Sequence, residues 1–162
     1  MPDTFSSYDP KHATAQRYRS ITRQIERLHR LYLDVVRVEL DRIGEPDMKA
    51  AEAVLLSNIG DAEVNVKTLM ERGYYYGSNA SYNLKKLEKA GYLEQYKSPS
   101  DRRATIVRLT ARGKDICERL LSVEADFADF YEDEHEELVG LKDRLSTLEQ
   151  AWSHHLRVCT TS

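Results

Sequence analysis

From Ala13 to Ile43 apolar residues recur at steps of three and four: Tyr18, Ile21, Ile25, Leu28, Tyr32 and Val35, continued by Val36, Leu40 and Ile43. That spacing predicts one long amphipathic helix with a heptad-like seam, ended by Gly44 and Pro46. The far end of the chain repeats the device with Leu138, Leu141, Leu145, Leu148, Trp152 and Leu156. Its entry, Glu132 to Glu137, is rich in acids, as a helix N-terminus prefers. Neither helix can bury such a stripe alone. In 162 residues the segment between them is too small to cover both, so the terminal helices are expected to pack with those of a second copy. Packing within one monomer is the plainer alternative. On the dimer reading, Ile21, Ile25, Leu28, Leu141, Leu145, Leu148 and Trp152 are the interface candidates.

Between the arms the punctuation is regular. Residues 46–59 read as a helix with Pro46 in its first turn and Gly60 after its last. Residues 63–73 read as a second, and 78–90 as a third, with Ser78 or Asn79 as N-cap and Gly91 as stop. Residues 92–97 and 103–110 read as two strands joined by a Ser-Pro-Ser-Asp turn. Thr110 then caps a helix whose face carries Ile116, Leu120, Val123, Phe127 and Phe130. Three short helices followed by a hairpin form a winged helix-turn-helix. The predicted class is therefore mainly α with a small β-hairpin wing. An N-terminal dimerisation helix (12–45) leads to the winged core (46–112), followed by C-terminal dimerisation helices (113–160).

Charge distinguishes these parts. The net charge is only −3, yet residues 85–114 hold nine Lys/Arg against three acids, while residues 113–162 hold five against twelve. A basic centre beside an acidic tail is the footprint of a surface for a polyanion, although a solvated charged face gives the same count. On the third short helix, Leu84 and Leu87 face inward. Ser78, Asn79, Ser81, Tyr82 and Asn83 are left near its N-terminus, small or polar groups suited to base edges in a major groove. Lys85 and Lys86 read as phosphate contacts. At the wing tip, Arg102 and Arg103 suit a minor groove, with Asp101 holding an arginine through a charge-assisted bond. The bland reading of the same three residues is a turn with an exposed ion pair.

Residues 69–113, with Leu84-Lys85-Lys86-Leu87-Glu88-Lys89-Ala90-Gly91-Tyr92-Leu93 and then Asp101-Arg102-Arg103 through Leu109-Thr110-Ala111-Arg112-Gly113, resemble the recognition helix and wing of the MarR-type transcriptional regulators. The long terminal helices match that family's dimerisation arms, which extends the resemblance over about residues 12–158. It implies a homodimer on a palindromic operator in double-stranded DNA, acting as a repressor released by a small molecule or an oxidant. One stretch departs from the pattern. Where relatives carry apolar-Gly-apolar before the recognition helix, this chain has Tyr74, Tyr75 and Tyr76 between two glycines. These are either a structural hinge or extra phosphate or ligand contacts.

Other signals are weaker. His155 and Cys159 stand at i, i+4, two ligands on a chain end. Cys117 would sense oxidants only as an accessible thiol of low pKa; a packing role is the alternative. No phosphate loop, dinucleotide fingerprint, metalloprotease or serine-hydrolase motif is present, so neither an enzyme nor a bound cofactor is expected. No apolar run approaches the ~20 residues of a membrane span, and the polar start of the chain lacks a signal core. Two cysteines far apart suit a reducing compartment, so the chain is expected in the cytoplasm. The rival from another class is a winged helix that binds a protein and no specific DNA.

Overall fold

The computed structural model describes residues 10–72 and 78–160. The chain divides into two units, one ending at Leu120 and one beginning at Leu121. The first contains α1 (Pro10–Arg42), α2 (Ala50–Ile59), β1 (Val64–Asn65), α3 (Val66–Arg72), α4 (Ser78–Lys89), β2 (Leu93–Lys97), β3 (Thr105–Leu109) and the start of α5 (Ala111–Ala128). The rest of α5, a 3-10 segment at Asp129–Glu134 and α6 (His135–Thr160) make the second.

The core of the first unit is a single apolar cluster. It takes Val36 and Leu40 from α1, Ala53, Leu55, Leu56 and Ile59 from α2, Leu69 from α3, and Leu84 and Leu87 from α4. Leu93, Val107 and Leu109 close it from the sheet, and Ile116, Cys117 and Leu120 from α5. Only the last turns of the long α1 stripe are used in this way. Further up the same helix Ile21, Leu28 and Leu31 are exposed.

Two predicted boundaries shift. The helix expected from residue 46 begins at Ala50, so Pro46 lies before it rather than in its first turn. Glu52 sets this start by accepting the backbone N–H of Lys49 at 3.1 Å. The helix expected over 63–73 opens as a strand: Val64 and Asn65 pair with Val107 and Ile106 of β3, and α3 follows. The Asn65 carboxamide then accepts the Lys67 N–H at 2.8 Å, capping that helix. The wing is therefore a three-stranded antiparallel sheet in the order β1-β3-β2.

In the second unit Phe130 does not continue the face of α5. The helix ends at Ala128, and Tyr131 (φ −118°, ψ 16°) breaks the helical path within the 3-10 segment. Phe130 is 79% exposed, whereas Ile116 and Leu120 are buried in the first unit's core. Leu141, Leu145 and Trp152 on α6 are exposed as well.

Candidate nucleic-acid interface

The predicted recognition helix is α4, and four devices hold it in place. Leu84 and Leu87 are fully buried. At its C-terminus Gly91 adopts φ +81°, which a side chain rarely tolerates. Tyr92 then donates its N–H to the Leu87 carbonyl and Gly91 to that of Glu88, closing the helix with a Schellman motif. The Glu88 carboxylate accepts both the backbone and the side-chain N–H of Gln95 at 3.0 Å, tying the helix to β2.

The fourth device corrects a sequence reading. Lys86 does not present its ammonium as a phosphate contact: it donates to both carboxylate oxygens of Glu52 on α2, at 2.7 and 2.9 Å. Glu52 is 3% exposed, and a carboxylate at that depth requires a counter-charge. Lys86 supplies it.

The outward side of α4 carries Ser81, Tyr82 and Lys85, with Lys89 one turn on, while Asn83 is half-buried. Tyr82 is 68% exposed, a large aromatic with no core role. Ser78 and Asn79 open the helix, but their side chains, like the whole of Tyr74, Tyr75 and Tyr76, lie outside the described residues.

The wing tip is a tight turn in which Ala104 donates to the Asp101 carbonyl at 2.9 Å and Ser98 to the Ala104 carbonyl at 3.0 Å. Here Asp101 works differently from the expectation. Its carboxylate accepts the main-chain N–H of Arg103 at 2.9 Å rather than gripping a guanidinium. An Asx turn of this kind shapes the loop and leaves both arginine side chains exposed.

Pairing resolves the cluster of nine bases. Lys86 is bound to Glu52, Arg108 to Glu94 and Glu63, Arg112 to Glu45, and Lys114 lies 4.0 Å from Asp61. Lys97 donates to the Thr105 hydroxyl across the wing at 3.1 Å. Among the described residues, Lys85, Lys89, Arg102 and Arg103 carry no ion pair, and they stand on the outer side of α4 and at the wing tip. The sequence showed the basic region but gave Lys86 a phosphate and Lys89 no site role.

At the base of the wing lies a cluster that no motif announced. The Arg112 guanidinium bonds both Glu45 oxygens (2.9 and 3.0 Å), the Tyr92 hydroxyl (2.9 Å) and the Ala90 carbonyl (3.3 Å). It also stacks 4.3 Å above the Tyr92 ring. Tyr92 in turn donates its hydroxyl to Glu45. Burial and the adjacent Glu45 carboxylate push the Tyr92 phenol up to about 12. Burial raises the Glu45 carboxyl, but the bonds from Tyr92 and Arg112 outweigh that and hold it below its ordinary value. The cluster joins the end of α1, the end of α4 and the first turn of α5.

That first turn also explains the wing motif. Thr110 caps α5 by accepting the Gly113 N–H at 3.2 Å, as its position suggested. A Cβ on Gly113 would lie 2.0 Å from the Tyr92 carbonyl oxygen, so only glycine lets α5 approach the sheet this closely. Cys117 is buried, and burial pushes its thiol up while a long contact from Ser57 only partly opposes this. It lacks the accessibility and low pKa of an oxidant sensor. His155 and Cys159 stand 3.6 Å apart near the end of α6, and no third His, Cys, Asp or Glu joins them among the described residues.

Comparison with known proteins bears on this geometry. The family of winged helix DNA-binding domains matches residues 48–113, which span α2 to the first turn of α5. FabT of Streptococcus pneumoniae, solved in complex with DNA, superposes with a TM-score of 0.68 at 22% identity, over 84% of this chain and 97% of that one. MarR superposes with a TM-score of 0.57 at 25% identity, over 78% of this chain and 98% of that one. In sequence, the exopolysaccharide II synthesis transcriptional activator ExpG of Rhizobium meliloti (strain 1021) is 38% identical over 100 residues, 62% of this chain. The matched part spans 52% of that curated relative's length. Residues 48–113 thus have the winged helix fold. The fold of the chain is that of the MarR-family regulators, as the sequence resemblance implied.

Proposed function

We propose that this protein is a sequence-specific DNA-binding transcriptional regulator that grips a palindromic operator as a homodimer. The observation that carries the reading is the segregation of charge: Lys85, Lys89, Arg102 and Arg103, without an ion pair among the described residues, share the outer side of α4 and the wing tip, while Lys86, Arg108 and Arg112 are spent on glutamates. In the proposed complex α4 enters the major groove, with Ser81, Tyr82 and Asn83, and Ser78 and Asn79 before them, nearest the bases. Lys85 and Lys89 neutralise flanking phosphates. Arg102 and Arg103 reach the adjacent minor groove.

The exposed apolar stripes of α1 and α6 supply the dimer, with Ile21, Leu28, Leu141 and Leu145 still uncovered in the single chain. Dimerisation sets two copies of α4 at half-sites a helical turn apart, ~34 Å. A small effector would act by changing that spacing, and occlusion of a promoter gives repression. The ExpG relative is named an activator, and the same grip activates from a site where it recruits rather than blocks. The sign therefore follows operator placement, which a reporter assay reads.

Selection of purified protein on random duplex DNA tests the proposal. Enrichment of a palindrome, bound with affinity that falls steeply in salt, is the expected result. Recovery of no sequence, with affinity for a protein partner instead, would favour the interaction-module alternative.

A further inference from the structure

The seam of α6 runs from Leu138 through Leu141, Leu145, Leu148 and Trp152 in alternate steps of three and four. The next two steps land on His155 and Cys159. A heptad seam is apolar by rule, and a polar residue within it costs stability while it fixes register. Here an imidazole and a thiol take two consecutive seam positions. Both are exposed in the single chain, as are Leu141, Leu145 and Trp152 before them.

The two side chains are already set as the ligands of one metal ion are. His155 Nε2 stands 3.6 Å from Cys159 Sγ. Zinc bonds of about 2.3 Å to sulfur and about 2.0–2.1 Å to nitrogen, at a tetrahedral angle, place those two atoms about 3.5 Å apart. A closed zinc site takes four ligands, however, and no third His, Cys, Asp or Glu joins this pair among the described residues. The α1 stripe does not complete the set, since its seam positions from Tyr18 to Val35 hold no His, Cys, Asp or Glu. A second α6 does, because it brings the same pair.

We propose that His155 and Cys159 of two copies together form a zinc site of two thiolates and two imidazoles, at the end of an α6 seam that pairs with itself across the two-fold. The proposal rests on the homodimer proposed above and adds an ion to it. Thiolate and imidazole ligands suit zinc, whereas magnesium and calcium take oxygen. Each thiol gives its proton to solvent as its sulfur binds, so the two thiolates balance the charge of the ion and the imidazoles stay neutral. A site without net charge suits a seam whose neighbouring members are Leu148, Trp152 and Leu156. Because the site is incomplete in either chain alone, zinc stabilises the dimer over the monomer.

The test uses the full chain, stripped of metal and kept reduced so that no Cys159 disulfide forms between copies. Cobalt is the first probe because, unlike zinc, it absorbs visible light strongly when tetrahedral. Its titration is expected to saturate at one ion per two chains, with tetrahedral bands and thiolate charge transfer that zinc then erases. Cys117 is buried, so the thiolate signal reports on Cys159. In sedimentation, zinc at about ten times its own Kd should lower the dimer Kd by about tenfold. Cys159→Ser and His155→Ala should each lose the cobalt spectrum and the response to zinc. His154→Ala, about 100° round the helix from His155, should keep both. A dimer that takes up no cobalt, or one weakly absorbing octahedral ion per chain, overturns the proposal and leaves the homodimer standing. So does a Cys159→Ser variant with the wild-type spectrum. A chain that stays monomeric with and without zinc overturns the homodimer, and this proposal with it.

Discussion

Lys85 and Lys86 are adjacent, chemically identical and indistinguishable by any sequence count, yet the fold gives them opposite tasks. Lys86 reaches Glu52, 34 residues earlier, and neutralises a buried carboxylate; Lys85 faces outward with no ion pair among the described residues. Lys86→Ala is therefore expected to lower stability, by about 1–3 kcal/mol for a buried charge left half-satisfied, a range set below that of a fully buried pair because Lys86 is itself partly exposed. Lys85→Ala should leave the unfolding midpoint unchanged and weaken DNA binding to all sequences alike. Urea denaturation beside DNA titration separates the two, and equal loss of stability in both variants would refute the distinction. Gly113 was legible only through the resemblance of the wing; the reason for it is the Tyr92 carbonyl oxygen 2.0 Å from where its Cβ would stand. Gly113→Ala should destabilise the fold by about 1–3 kcal/mol through overpacking. An unchanged midpoint would mean that α5 shifts freely.

Among elements, the long ones were legible and the short ones were not. Periodicity over α1 and α6 placed both helices to within a few residues, and Gly91 and Thr110 marked the ends of α4 and the start of α5. β1 escaped because two residues carry no alternation; only its pairing with Val107 and Ile106 defines it. The Glu45–Tyr92–Arg112 cluster escaped for a similar reason, since Glu45 lies 47 and 67 residues before its two partners and the three stand in two connecting turns and the first turn of α5. Its protonation behaviour gives it a signature. With the Tyr92 phenol raised to about 12, the folded state holds that proton more tightly than the unfolded chain, whose phenol titrates near ~10. The resulting stability is complete below pH ~10 and is lost as pH rises towards ~12. For Glu45 the shift is downward, so its contribution is present above the unfolded value of ~4.3 and is lost as pH falls through the folded one. Thermal melts should show the Tyr92→Phe variant losing less stability than wild type between pH ~10 and ~12, and Glu45→Gln losing less below pH ~4. Parallel pH profiles for variant and wild type would show that the cluster does not hold the three elements together.

At the scale of the whole molecule, the sequence announced two unburied helical stripes, a basic centre and an acidic end, and these remain its most informative features. Among the described residues, the structure adds which cations on α4 and at the wing tip carry no ion pair. Four per chain, Lys85, Lys89, Arg102 and Arg103, become eight in the proposed dimer, and each phosphate they neutralise releases counterions. The affinity of wild type for its selected operator should then fall with a log–log salt slope of roughly −7 if all eight engage phosphates. The measurement that tests this most directly compares that slope with the slope of Arg102→Ala/Arg103→Ala on the same DNA. Loss of four contacts per dimer should flatten it by about 3 to 4, with the unfolding midpoint unchanged because both side chains are exposed and carry no ion pair among the described residues. An identical slope for both proteins, or binding that does not respond to salt, would contradict the account of how this surface meets DNA.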